Sequence, residues 1–408
     1  MHSSKYSVTP TRMLACALAV GAAGVAHAKT IRVPANAPTI QAAIAAAQSG
    51  DEVLVAPGTY YERLDIYNKG VAITSEAGAE QTIIDAQEQG SVIVVGAYQS
   101  ANSRVTGFTL RNGKTGEFEG GGGIRVYGEA TVAIERNEIV HNTAAWGSGI
   151  FAQDVATVYI RHNHIAFNTG DSITLDSTPG STTVSNNTIE RNQGSGLVIN
   201  DAGGNGAMTI TANVIRFNNG PDGGGVRIHA NSPEVASFVN NLIYKNKATR
   251  DGGGVYLAAP TGGAATFINN TIADNKAAGA TELYFWGDGN HVQFNNNILR
   301  SSSILGAVDC SSGSPRFGFN DVFATQGAAA TGSCAGTATG GTNFSADPLF
   351  ASTAGTNPYS LQSQSPLIDV GDNAAVADIK RDRKGKRRVA DGGHGAVVDL
   401  GAYEYQGN

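Results

Sequence analysis

The chain is poor in charge, in cysteine and in long apolar runs. Of its 408 residues only 15 % are charged, and the formal net charge is −6. A mildly acidic surface argues against nucleic acid as a partner and against attachment to anionic membranes by bulk charge. After the N-terminal leader no segment approaches the roughly 20 apolar residues of a membrane span. Convincing helical patterns are scarce too. What the chain has instead is 53 glycines and abundant asparagine, which signals many tight turns and short strands.

The N-terminus carries Lys5 and Arg12, then an apolar run from Met13 to Val25, then Ala26-His27-Ala28. This pattern reads as a secretory signal peptide, 1–28, because the run is too short to span. The mature chain then begins at Lys29 with a net charge of −8, since the leader removes two cations from −6. Two of the three cysteines remain, Cys310 and Cys334. An even count in an exported chain favours one disulfide.

The sequence repeats itself. Phe238-Val-Asn-Asn-Leu-Ile-Tyr-Lys-Asn-Lys returns as Phe267-Ile-Asn-Asn-Thr-Ile-Ala-Asp-Asn-Lys. The apolar residue after the asparagine recurs at Leu110, Ile139, Ile165, Ile189, Ile215, Ile243, Ile272 and Ile298, in steps of 24 to 29. A second apolar series, Ile124, Ile150, Ile173, Leu197, Val226, Val255 and Leu283, follows the glycines in step. Each period holds three alternating segments of strand length, separated by turns. Three strands without a helix in such a period describe one coil of a parallel β-helix.

The asparagines are read as structural. One column, Asn137, Asn163, Asn187, Asn213, Asn241, Asn270 and Asn297, falls at the turn between second and third strands. There the residue is expected to supply a left-handed conformation. Stacked amides can also bond along the column. A second column, Asn142 through Asn275, closes the third strand. Thr39 to Ser49 reads as a helix that plugs the first coil, with Thr39 as N-cap and Gly50 as terminator. The expected organisation is a β-helix over 29–300 with that helix at 39–49. Residues 301–408 are expected to hold C-terminal coils and a cap with a Cys310–Cys334 disulfide.

Three stretches carry a family resemblance. Gly50-Asp-Glu-Val-Leu-Val-Ala-Pro-Gly-Thr-Tyr60 resembles the first coil of exported right-handed β-helix proteins of the pectate-lyase-like superfamily. Ala346-Asp-Pro-Leu-Phe350, Ser365-Pro-Leu-Ile-Asp-Val-Gly371 and Asp399-Leu-Gly-Ala-Tyr-Glu404 resemble the choice-of-anchor Q proteins of bacteria. The resemblance implies an all-β, right-handed parallel β-helix with three-strand coils and capped ends. It implies a secreted, extracellular or periplasmic bacterial location, and a link to carbohydrate by superfamily habit. A monomer is expected.

In that superfamily the binding groove lies on the first strand and the loop before it. Alternation assigns two outward columns there. One is Arg125, Phe151, Thr174, Val198, Arg227, Tyr256 and Tyr284. The other is Tyr127, Gln153, Asp176, Asn200, His229, Ala258 and Trp286. The preceding loops add Asp171, Asp222, Arg250 and Asp251. Tyr127, Phe151, Tyr256, Tyr284 and Trp286, with Asn200, are candidates for sugar contact. The bland reading is ordinary cross-strand packing or cover by a loop.

The charged set is the catalytic candidate. A lyase needs a cation for a uronate carboxylate and a base for the C5 proton, which suggests Arg227 or Arg250 with His229. A hydrolase needs two carboxylates, such as Asp176 with Asp222 or Asp222 with Asp251. The acids are also suitable ligands for Ca²⁺. The alternative is a solvated ladder of opposite charges. Two functions from different classes therefore stand: a protein that binds, and by extension cleaves, an extracellular polysaccharide, or a non-catalytic surface adhesin or spacer.

Overall fold

A computed structural model describes residues 28–407, apart from 179, 202–205, 232–234 and 261. Residues 1–27 of the expected leader, 1–28, lie outside the described residues. The chain winds as a parallel solenoid with three strand positions per coil. First-position strands stack from Leu64–Tyr67 to Ala330–Gly332. Second-position strands run from Thr30–Val33 to Arg316–Gly318. Third-position strands form an 11-stranded sheet from Gly58–Tyr60 to Asp321–Ala324. The first two stacks merge where Ile93–Thr106 and Ile124–Glu135 each run through both.

Alternation fills the interior. Val226, Ile228, Phe238 and Ile243 are fully buried within one coil. Phe238, Phe267, Phe294 and Phe317 stack in line, with centroid spacings of 4.6, 4.6 and 5.1 Å. The strand spacing of about 4.8 Å makes such face-to-face columns a natural filling for a β-helix.

Both asparagine columns are hydrogen-bonded ladders. Asn213 Oδ1 accepts from the backbone N–H and the side-chain amide of Asn187, both at 3.0 Å. Its own Nδ2 donates to Val184 O at 2.8 Å and to Asn241 Oδ1 at 3.0 Å. The first ladder runs beyond Asn297 to Asn320 and Asn343. The second ends where Asn275 donates to the fully buried Glu282.

One expectation about these columns is corrected. The left-handed residue is the one before each ladder asparagine: Arg136, His162, Asn186, Ala212, Asn240, Asn269 and Asn296 all have φ between 52° and 57°. That residue turns the chain. The ladder asparagine follows it and points into the turn, where its amide is shielded from water.

The N-terminal helix is Ile40–Ala46, shorter than expected. Thr39 caps it, accepting from Ala42 N, and Glu62 accepts from Ile40 N and Gln41 N. Ala47 already takes extended torsions, so the helix closes there before Gly50. Its buried face is Ile40, Ala43 and Ile44. At the far end Ala335–Thr339 packs against the last strands of all three stacks, and Cys310 is bonded to Cys334.

The rest of the chain, 344–407, lies along the third sheet. Tyr359 and Tyr403 pack with Leu242 and Tyr244. Leu361, Leu367, Ile368 and Leu400 pack with Ile298. The turn residues Asn240, Asn269 and Asn296 donate to Arg381 O, Asp399 O and Asp372 O. This explains the paired asparagines at 240–241, 269–270 and 296–297: the first grips the tail and the second joins the ladder. Within the tail, Asp369, Asp382, Asp399 and Glu404 accept backbone N–H groups. Arg388, fully buried, pairs with Glu404 at 3.3 Å.

Candidate functional site

The first-position strands bring the two outward columns into register. Arg125, Phe151, Thr174, Val198, Arg227, Tyr256 and Tyr284 are successive partners. Tyr127, Gln153, Asp176, Asn200, His229, Ala258 and Trp286 form the other column. His229 faces outward and is half-buried, between the interior residues Ile228 and Ala230. Columns sharing a sheet face follow from alternation alone. Which members remain reachable does not.

Several expected contacts are closed. Phe151 is only 6 % exposed, with Gly120 of the preceding loop lying against its ring. It offers no face to a ligand. Tyr127 is half-buried and lies over Gly96. Asn200 is half-buried. Thr174 and Val198 are buried. Arg227 reaches back across the intervening coil to Asp171, with Nη2 2.6 Å from Oδ2. Asp171 Oδ1 also accepts from Ser195 N. Arg227 is thus committed to a carboxylate and is not a free cation for a substrate.

In the next coils Tyr256 and Tyr284 are also half-buried, and Trp286 is exposed. Tyr256 and Tyr284 stack with centroids 5.4 Å apart and planes 13° from parallel. Trp286, beside Tyr284, is 44 % exposed. The His229 and Tyr256 rings lie with centroids 5.9 Å apart and planes tilted by 49°. Arg250 forks onto Asp222, with Nε 3.0 Å from Oδ1 and Nη2 on Oδ2. The Arg250 side chain is itself largely exposed, while Asp222 is nearly covered.

Electrostatics divide the two loop acids. Burial tends to raise the Asp222 carboxyl, but the Arg250 hydrogen bonds and charge outweigh it and hold it below the usual range. Asp251 is raised, first by burial and then by the charges of Asp222 and Asp309. Burial, then the Arg227 charge, lowers His229 against the pull of Asp222, so its imidazole is neutral at pH 7. Asp176 is raised by burial and by neighbouring Asp154. It stands on the column two coils before His229, apart from the Asp222–Asp251 pair.

Sequence reasoning missed two of these acids. Asp309 follows Tyr284 in register, one coil past the last glycine-loop marker. The signal was Val308, a further inward apolar residue that continues the series. Asp154 lies just after the strand Ile150–Gln153 and carried no repeat signal. Among the described residues no three His, Cys, Asp or Glu side chains gather as a metal site. Within the charged set Asp171 pairs with Arg227 and Asp222 with Arg250.

The comparisons with known proteins concern the whole coil. The model of the right handed beta helix region matches residues 91–259. The crystal structure of pectate lyase Pel9A superposes with a TM-score of 0.59, over 93 % of this chain and 97 % of that one. This chain is a right-handed parallel β-helix. Its sequence identity to that lyase is 15 %, which establishes the pectate-lyase-like fold and leaves the chemistry to the site. No curated protein matches the chain. No helix among the described residues is long and apolar enough to cross a membrane.

Proposed function

We propose that this β-helix binds an extracellular polysaccharide along the first sheet, over the coils from His229 to Trp286. The observation that carries this reading is the Tyr256–Tyr284 stack running to the exposed Trp286, beside a fork of ionised groups. Aromatic faces suit the apolar patches of sugar rings, and charged rims suit their hydroxyls. The disulfide supports an oxidising, exported setting.

Cleavage by hydrolysis is the second reading, and a specific observation favours it. Asp222 and Asp251 are pushed in opposite directions, one toward the ionised form and one toward the protonated form. A pair split in this way divides the roles of base and acid. The lyase version has a base in neutral His229. It lacks a free cation, since Asp171 holds Arg227 and Asp222 holds Arg250.

The test is incubation of the mature protein with neutral and acidic polysaccharides, with and without Ca²⁺. Binding, unsaturated-uronate absorbance and new reducing ends are followed together. Tyr284→Ala with Trp286→Ala is expected to weaken binding at least tenfold, about 1.4 kcal/mol. Reducing ends without absorbance, lost in Asp251→Asn, support hydrolysis. Absorbance lost in His229→Ala makes the protein a lyase. Undiminished binding in the aromatic variant overturns the site, and no binding to any polymer favours the adhesin or spacer.

A further inference from the structure

A second site lies on another face, where the third sheet turns toward the glycine loops. The residues just after the third strands form an outward column there: His141, Phe167, Arg191, Phe217, Lys245 and Asp274. Each has φ between 53° and 57°. This left-handed conformation is easiest for glycine or asparagine and costly for a bulky residue. Two of the positions nevertheless hold phenylalanines, 46 % and 39 % exposed. Arg191 lies between them, its guanidinium 6.0 Å from the Phe167 ring and 5.2 Å from Phe217. Phe167 also stacks on His141 at 5.6 Å and Phe217 packs edge-on against Tyr244 at 5.9 Å; the part of each ring left exposed, on a strained backbone, points to use.

The column opens into a hollow of about 660 Å³ beside Phe217. Its walls include Lys245, Lys247, Lys276 and Arg300. Two of these cations are engaged: Lys245 donates to Thr353 O at 2.9 Å, and Arg300 pairs with Asp274. Lys247 and Lys276 are exposed. They face each other on successive coils as direct β-bridge partners. Backbone bonds to Asn218 O and Asn246 O, both 2.8 Å, fix them in that register. Like charges directly opposite on a sheet repel, and an anion between them relieves the repulsion. The chain as a whole is acidic, so this is a local reversal of sign.

We propose that this hollow binds an acidic sugar residue, with Phe217 as the stacking platform and Lys247 with Lys276 clamping its carboxylate or sulfate. An inorganic anion has no use for the exposed rings, and a neutral sugar has none for the paired ammonium groups. The site is separate from the first-sheet face and does not depend on it.

The experiment uses the mature chain already carrying Tyr284→Ala and Trp286→Ala, so that the first-sheet face is weakened at least tenfold. Calorimetric titration is done at low and moderate salt with a uronic-acid hexasaccharide, a sulfated hexasaccharide, a neutral hexasaccharide, inorganic sulfate and a single-stranded DNA oligomer. Binding of one or both acidic sugars is expected. It should fall at least tenfold in Lys247→Gln/Lys276→Gln, and severalfold in Phe217→Asn. The last change suits the left-handed backbone, so it removes the ring without threatening the fold. The two acidic probes distinguish carboxylate from sulfate. No acidic-sugar binding, binding unchanged in these variants, or equal binding of sulfate or DNA overturns the proposal.

Discussion

Arg227 Nη2 lies 2.6 Å from Asp171 Oδ2, although the two residues belong to coils separated by the one that carries Val198. The pair ties three successive coils across the outer face of the first sheet. It turns a residue that looked like a substrate-binding cation into a strap.

The strap should be measurable as stability. Both side chains are mostly buried, so removing one leaves the other without a partner. Arg227→Gln is expected to destabilise by about 2 kcal/mol, discounted from the larger values of fully buried pairs because the arginine is partly solvated. Asp171→Asn should cost about as much, and the double variant should be less than additive. Thermal unfolding of the four proteins decides it. Full additivity would mean the contact contributes nothing.

A rung of the asparagine ladder should be more sensitive. Asn213→Ala removes the acceptor for Asn187 N and Nδ2 and the donor to Val184 O. At about 1 kcal/mol per net bond, and more for buried groups left unpaired, the loss is roughly 3 kcal/mol. Ala212→Gly, at the left-handed position before it, is expected to be neutral or stabilising. The melting temperature should fall in Asn213→Ala and hold or rise in Ala212→Gly.

Buried carboxyls of the tail and of the last third-position strand give a pH dependence of definite sign. Burial raises Asp399 to about 6 and Asp321 to about 7, and burial with the Asp399 charge raises Glu404 to about 8. These groups contribute stability that is complete below their unfolded values near 4 and lost as pH rises through 6 to 8. Asp222 is depressed, so its contribution is present above about 4 and disappears on acidification. Thermal stability should therefore peak near pH 4 and decline toward pH 8. Glu404→Gln should flatten the alkaline limb, and a melting profile that still rises from pH 5 to 9 would refute the assignment.

His229 offers a spectroscopic check. Its imidazole is depressed by burial and Arg227, so its ring signals should titrate below the ordinary value of about 6.5. Arg227→Gln should move the midpoint upward. An unchanged midpoint would separate the two residues electrostatically.

Much of the architecture was legible because β-helix periodicity is local. The residue columns from Arg125 to Tyr284 and from Tyr127 to Trp286 follow from alternation, and their registers agree strand by strand with the structure. The asparagine columns were legible as ladders, but their conformation was assigned one residue too late. Amino-acid type alone does not say which of two adjacent polar residues turns the chain. Phe151 was misread because exposure depends on the loop of the neighbouring coil, where Gly120 lets the backbone settle onto the ring.

The sequence by itself determined the coil, the three strand positions and the outward faces, because these depend on a repeating pattern read at short range. The tertiary structure alone decided which outward residues stay open and which charges are already spent on each other. Arg227 meets Asp171 across 56 residues, and Asn240 meets Arg388 across 148. Contacts at such separations are set by how coils stack and where the tail lies down, and no local pattern encodes them.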